Sequence, residues 1–523
     1  MKLRTVSLII LLCLVFERHS NAQNYWVQFT DKKGVFLDTS SFTTKAIERR
    51  LRHGILFDTT DFPVKEDYLS AIEGHGAFVH NKSRWINAAY ADFSEADSMA
   101  ISNLPFVKKV FQIKSCYNVT QASDEPLPES DLYHIQNQLY HMGGQNFIDA
   151  ELRGKGVRIA IFDVGFPDVN THPAFKHIRD NNKIIETYDF VKDEKNVYKS
   201  NAHGTEVLSN IGGFYNDFPL GLAPEAEFLL ARTEKFLFEP YSEEKNWLLA
   251  AEWADRMGAQ IISSSLGYGH HRYFEEEMDG STPMVSEAAR IATRKGILVV
   301  NAAGNEGDKK WETIISPADV DSVLTIGGID PKTDIHINFG SLGPANASLQ
   351  KPDVSAYAWN FVATKKGKYV KKYGTSYATP LVAGFAACVM QQNPDWTNME
   401  VFKQIAKSGH LYPYYDYAHG YGIPQSRYFT EDQEPPIPTI DLEENEHGIM
   451  IKISENQTRN RKTNRLLGDN HLYYHIENND GYLSKYKVYE VKEGQKILIP
   501  KKELENMKKV MVHFRGYSTN FQL

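Results

Sequence analysis

Cysteine is nearly missing from this chain. Three occur in 523 residues, Cys13, Cys116 and Cys388. That number builds neither a disulfide scaffold nor a cysteine-based zinc site. An excess of positive charge is missing too. There are 58 Lys+Arg against 66 Asp+Glu, a formal net charge of −8. Nucleic acid is bound through clustered positive charge, so the balance argues against it as a partner. Long hydrophobic runs are also lacking. The apolar run at the N-terminus, Val6 to Phe16, has 11 residues, too few to cross a bilayer, and no later stretch is long and apolar enough. What is present is ordinary for a soluble globular protein, with 42% hydrophobic and 24% charged residues. That composition excludes wholesale disorder, a collagen-like fibre and a polytopic membrane protein. At roughly 150 residues per domain the length suggests about three domains.

The first 22 residues read as an export signal. Lys2 and Arg4 precede the apolar run, and Ser20-Asn21-Ala22 supplies a small-x-small cleavage pattern. The expected location is outside the cytoplasm, secreted or in the cell envelope, with no transmembrane helix in the mature chain. Residues 23–114 read as a small α+β domain. Its expected elements are a strand at Tyr25–Phe29, a basic helix at Ser41–Arg52, a helix at Val64–Ile72, strands near Ala77–Asn81 and Trp85–Phe93, a helix capped by Ser94, and a strand at Val107–Ile113. Residues 115–131 are polar with two prolines and read as a linker.

Residues 132–430 change pattern. Short Val- and Ile-rich runs (Val157–Phe162, Phe228–Ala231, Gln260–Ser263, Ile297–Val300, Val323–Ile326) alternate with helical stretches such as Ser242–Met257 and Ser286–Lys295. Continuous apolar strands between helices predict an α/β domain, a parallel sheet with helices on both faces. Reactive groups in such a sheet gather beyond the carboxyl ends of the strands. Residues 431–447 are acidic and proline-rich, a second linker. Residues 448–523 carry β-like runs at Gly448–Ser454, His471–Ile476, Lys485–Val491, Lys496–Pro500 and Lys509–Phe514, a β-rich C-terminal domain.

Four short segments in the middle region bear chemistry. Asp163 ends a buried strand just before Val164-Gly165. His203 opens a helix in Asn201-Ala202-His203-Gly204-Thr205. Ser376 lies in Tyr373-Gly374-Thr375-Ser376-Tyr377-Ala378-Thr379-Pro380. Pro380 is expected in the first turn of a helix beginning near Ser376, at the positive end of its dipole. Asn305 projects a carboxamide from the loop Ala302-Ala303-Gly304-Asn305-Glu306-Gly307. Taken singly, these are a strand-end aspartate, one histidine of 18, an N-cap serine and a turn asparagine. Taken together they supply what nucleophilic acyl transfer needs: a hydroxyl, a neutral imidazole, a carboxylate to fix its tautomer and a donor for the oxyanion. Their chain order, Asp, His, Ser, is one of the convergent orders of that constellation. A G-x-S-x-G elbow is absent, since position 378 is Ala.

Asp163-x-Gly165, His203-Gly204-Thr205 and Gly374-Thr375-Ser376-x-Ala378-x-Pro380 resemble the signature motifs of the subtilisin-like serine proteases, the subtilases. Ala302–Gly307 resembles the family's oxyanion-asparagine loop, Ser265-Leu266-Gly267 its substrate-binding strand, and Gly221–Ala226 a common turn. The resemblance spans roughly residues 150–430. It implies a subtilisin-like fold and a serine endopeptidase acting on polypeptide substrates. Asp163, His203 and Ser376 are then the catalytic residues, Asn305 completes the oxyanion hole, and substrate lies along Ser265, Leu266, Gly267 and Ala302, Ala303, Gly304. Residues 24–114 resemble, by position and pattern, the family's propeptide, which implies an intramolecular folding aid and inhibitor. No cofactor is required. A structural calcium is left open, since Asp189, Asp193 and Glu194 show no specific ligand pattern. Three departures stand out. Val164 replaces a hydroxyl residue, leaving Asp163 to be oriented by backbone N–H groups. Glu206 replaces a second histidine, with no catalytic consequence expected, and Tyr377 replaces a methionine. Small side chains at Ala302, Ala303 and Gly304 are expected to leave room in the main pocket, with Glu306 at its rim.

Overall fold

Alternation in Gln23–Phe29 (β1), with Tyr25, Val27 and Phe29 buried on one face, sets up the first sheet. The structure, a computed structural model, describes residues 23–113, 137–235, 242–270, 272–345, 349–454 and 470–523. The export signal and the 115–131 linker lie outside the described residues. Strand β1 pairs antiparallel with both neighbours in the order β2-β3-β1-β4, where β2 is Phe78–Ser83, β3 Ala88–Phe93 and β4 Val107–Gln112. Helices Thr44–Arg52 and Glu95–Ser102 begin where Thr43 and Ser94 accept the N–H groups of Ala46 and Asp97.

Residues 242–258 group with this first unit. The reason is charge. The expected basic helix turns Arg49 and Arg50 inward, and Arg84 joins them. All three meet Asp255 of helix Ser242–Arg256, which the sequence pattern placed among the helices of the middle region. Arg50 also meets Asp61 at 2.8 Å, and Arg84 approaches Glu252 at 3.5 Å.

In the second unit seven strands form one parallel sheet. They are β5 Arg158–Asp163, β6 Ile184–Asp189, β7 Glu227–Arg232, β8 Ile261–Ser264, β9 Leu298–Ala302, β10 Leu324–Ile329 and β11 Val354–Tyr357, in the order β11-β10-β9-β8-β5-β7-β6. The apolar runs Val157–Phe162, Phe228–Ala231, Gln260–Ser263, Ile297–Val300 and Val323–Ile326 fall on five of them. Pairing in register (Phe162 with Ser264, Ser264 with Asn301) brings the carboxyl ends of β5, β8 and β9 side by side. A hairpin follows, β12 Trp359–Thr364 and β13 Lys368–Tyr373.

The C-terminal region of the same unit holds two antiparallel sheets. One is β14-β15-β18 (Ile440–Asn445, Gly448–Ile453, Lys496–Pro500), and the other is β17-β16-β19-β20 (Leu483–Glu490, His471–Asn478, Met507–Phe514, Tyr517–Gln522). They share a core of Ile449, Ile451, Leu472, Tyr474, Val510 and Phe514. Part of the stretch read as a linker, 431–447, is strand β14, because Ile440 is buried in that core.

Candidate active site

Each functional side chain is set by a local rule. Asp163 is the last residue of β5 and is fully buried. The Val164 N–H donates to its Oδ1 at 2.8 Å, so a backbone donor orients this carboxylate. Helix His203–Gly212 starts at His203, whose N–H donates to the Asn201 side-chain oxygen at 2.9 Å. The helix can approach β5 because Gly204 lacks a side chain. A Cβ there would lie 2.9 Å from the Asp163 Cβ and would collide with the Gly165 carbonyl. His203 Nδ1 then lies 2.9 Å from both Asp163 oxygens. An Nδ1–H aimed at a carboxylate leaves Nε2 as the basic nitrogen of the neutral ring.

The His203 side chain is 24% exposed. Burial lowers its pKa, but the charge and hydrogen bond of Asp163 outweigh that, with help from Glu206 and against Lys372. The net pKa lies above the ordinary histidine value. Glu206 sits one turn beyond His203 and is buried. It accepts hydrogen bonds from the Tyr377 hydroxyl at 2.7 Å and from Thr364 at 2.6 Å. Two of the three departures noted in the sequence, Glu206 and Tyr377, are therefore partners, and the Tyr377 ring lies 5.5 Å from the His203 ring.

Helix Thr375–Gln392 follows Gly374, whose φ of +144° suits glycine. Pro380 is the sixth helical residue, not a first-turn residue as its chemistry alone suggests. Its missing N–H would have bonded the Ser376 carbonyl. That carbonyl accepts instead from the Ser265 hydroxyl at 2.9 Å. In return Ser376 Oγ donates to the Ser265 carbonyl at 3.3 Å, rather than to His203. Catalytic hydrogen bonds are often loose before substrate binds. The Ser376 N–H lies in the first turn, where no intrahelical acceptor exists.

Asn305 Oδ1 accepts from the Thr375 N–H at 2.9 Å and from its hydroxyl at 3.1 Å. This fixes the carboxamide so that its NH2 is the end left to donate. Thr375 was not singled out from sequence, although its place between Gly374 and Ser376 was the available signal. Ser265, Leu266 and Gly267 leave the end of β8, and Ala302 to Gly304 leave the end of β9. The buried Asn301 amide ties the two segments by donating to the Leu266 carbonyl at 3.0 Å. Glu306 is held by Lys309 at 3.0 Å. Ile315 packs beside Gly304, where a Cβ would lie 2.9 Å from its Cγ1.

Asp189 is engaged by Arg232 at 2.9 Å and Lys199 at 3.2 Å, and Glu194 by Lys199. Asp193 accepts from the Tyr188 hydroxyl at 2.5 Å. Among the described residues no group of three or more His, Cys, Asp or Glu side chains converges as a metal site would. Cys388 is buried, and burial raises its thiol pKa far above the ordinary value. No described helix is long and apolar enough to cross a membrane.

A parallel sheet carrying a paired carboxylate and imidazole at one strand end, beside a helix that presents a serine, defines a subtilisin-like fold. The solved structure of MycP1 from the ESX-1 type VII secretion system shares that fold, with a TM-score of 0.50 and 22% identity over 62% of this chain and 93% of that one. The description of the subtilase family matches residues 154–422, and that of the Peptidase S8 propeptide domain of Bacteroidota matches residues 24–126. Serine protease AprX of Bacillus subtilis (strain 168) is 31% identical over 287 residues, 49% of this chain and 62% of that protein. Subtilisin BL of Lederbergia lenta is 31% identical over 252 residues, 48% of this chain and 82% of that protein. The chain belongs to the subtilase family of serine peptidases and carries a propeptide domain ahead of its peptidase domain.

Proposed function

We propose that the protein is an exported serine endopeptidase working through Asp163, His203 and Ser376. His203 Nε2 takes the Ser376 proton as Oγ attacks a peptide carbonyl carbon. Asp163 holds Nδ1–H and stabilises the imidazolium. The carbonyl oxygen becomes anionic and is received by the Asn305 NH2 and the Ser376 N–H. His203 passes its proton to the leaving amine, the C–N bond breaks, and an acyl-enzyme remains. Water then gives a proton to His203 and attacks the ester carbonyl, and His203 returns that proton to Ser376 Oγ as the C–O bond breaks and the acid product leaves. An extended peptide runs along Ser265–Gly267 and Ala302–Gly304, pairing through its backbone. Residues 24–114 act as folding aid and inhibitor until cleavage within 114–131.

The single observation that carries this reading is the Asp163–His203 pair at 2.9 Å beside the Ser376 helix. The N-terminal charge and apolar pattern supports export, and the propeptide match supports a zymogen. A fluorophosphonate probe is expected to label the processed protein at Ser376 and to miss Ser376→Ala, with peptide cleavage lost in parallel. An unlabelled, folded and processed protein sinks the reading. Asn305→Leu is expected to lower kcat by about a hundred- to a thousandfold with a smaller change in KM, measured on a peptide substrate. N-terminal sequencing of the processed form locates the cut within 114–131.

A further inference from the structure

The side chain that specificity must reckon with is Ile315. It lies on an extended segment in which Ile314 is fully buried with Ala303, Ala318 and Ala345, so alternation turns Ile315 to the opposite face. Its backbone is pinned on two sides. The Ile315 N–H donates to the Ala303 carbonyl at 3.2 Å, and the next residue, Ser316, exchanges hydrogen bonds of 2.8 and 3.0 Å with Tyr268. The segment therefore bridges the ends of both strands that carry the substrate segments.

The half-buried Ile315 side chain fills the space between three glycines. A Cβ on Gly304 would lie 2.9 Å from Ile315 Cγ1 and 3.0 Å from its Cδ1. One on Gly269 would lie 2.7 Å from Cγ2, and one on Gly267 would collide with Cδ1. Glycines that elsewhere would open a cavity here make room for an isoleucine. Gly304 directly precedes Asn305, the proposed oxyanion donor. Gly267 is two residues from Ser265, which is bonded both ways to Ser376. Gly267 and Gly304 thus flank the carbonyl under attack, and the side chain of the residue bearing that carbonyl has to enter between them.

We propose that Ile315 closes this pocket, so that the enzyme cleaves after glycine and alanine and rejects large apolar or aromatic residues at that position. The inference rests on the serine endopeptidase reading above and adds its substrate class. A branched four-carbon side chain fixed by its backbone leaves no volume for a leucine or phenylalanine, and overpacking a filled site carries a steric penalty.

The test uses the full chain, matured by its own processing, and peptide substrates identical except for Gly, Ala, Val, Leu or Phe before a chromogenic leaving group. Fluorophosphonate titration counts competent Ser376 sites, so kcat/KM is expressed per active site. The native protein is expected to prefer Ala over Phe by at least about a hundredfold. Ile315→Gly should raise kcat/KM for Phe by about 10- to 200-fold, the range that pocket methylenes command, and Ile315→Val should fall between. If Ile315→Gly does not mature, the native profile and Ile315→Val decide alone. A native protein that titrates fully yet cleaves after Phe or Leu as fast as after Ala overturns the proposal, as does an unchanged Phe/Ala ratio in the variants. A folded, processed protein that neither titrates nor cleaves overturns the endopeptidase reading, and this inference with it.

Discussion

Tyr377 and Glu206 show how two substitutions that look independent along the chain become one unit in space. The phenol donates to a buried carboxylate at 2.7 Å, and the same carboxylate helps hold the His203 pKa above its ordinary value of about 6.5. The sign for activity follows. The general base must be neutral, so a raised pKa moves the acid limb of the rate profile to higher pH. Half-maximal kcat/KM on the acid side is expected above the ordinary histidine value. Glu206→Gln removes a charge that favours imidazolium, leaving Asp163 and Lys372 as the charged neighbours, and should shift that midpoint downward. A pH profile of kcat/KM for both proteins checks it, and an upward shift contradicts it. At this scale the sequence was informative about the groups that react and silent about those that position them. Asp163, His203, Ser376 and Asn305 stand in short motifs whose spacing is local. Thr375 was signalled only by its place between Gly374 and Ser376, whereas Asn301, Ile315 and the pairing of Glu206 with Tyr377 act through contacts between distant segments that one-dimensional spacing does not mark. Glu206 was expected to have no catalytic consequence, and its burial beside Tyr377 and its pull on the His203 pKa are visible only in three dimensions.

Among the elements, one helix start was legible from its cap, Ser94, while the cap at Thr43 and the Thr397/Glu400 capping box that opens helix Asn398–Lys407 are seen in the structure. Five of the seven sheet strands were legible as apolar runs. The two that were not, Ile184–Asp189 and Val354–Tyr357, are the two edges of the sheet. An edge strand has one neighbour, so it can be polar along one side or only four residues long, and neither leaves a continuous apolar signal. Pro380 was misplaced for a related reason. Its rule assumes that the orphaned carbonyl has no other donor, and Ser265 supplies one. The stretch Ser41–Arg52 was read as a basic helix, and two of its arginines, Arg49 and Arg50, are buried against Asp61 and Asp255. Asp255→Ala leaves Arg49, Arg50 and Arg84 around a lost charge. It is expected to destabilise the first unit by about 3–5 kcal/mol, read as a lower denaturant midpoint in the unprocessed chain. A change below about 1 kcal/mol would mean the arginines find water instead.

For the molecule as a whole, composition and periodicity pointed to a parallel sheet in the middle and a β-rich end, and the structure adds that the strands at the end pair antiparallel. What composition could not convey is how the C-terminal strands are joined to the peptidase body. An aromatic cluster does this. Leu411, Tyr414 and Tyr473 are buried together, and the His475 ring stacks on Tyr414 at 5.1 Å while its Nδ1 meets the Tyr415 carbonyl. Tyr473→Ala is expected to cost about 3–5 kcal/mol, in line with truncation of large aromatic core residues, with fluorophosphonate labelling kept in the surviving folded fraction. Thermal unfolding followed alongside probe labelling measures both. Unfolding unchanged by the substitution would mark the tail as a separately hinged appendage.

The reciprocal bonds between Ser265 and Ser376 carry one more consequence. At rest the alcohol is parked on a carbonyl of the very strand along which a peptide would lie. On the endopeptidase reading, an incoming chain that adds itself to that strand competes for the same oxygen and evicts the alcohol toward the imidazole. Occupancy of the cleft then arms the attacking group, and an idle enzyme keeps it sheathed.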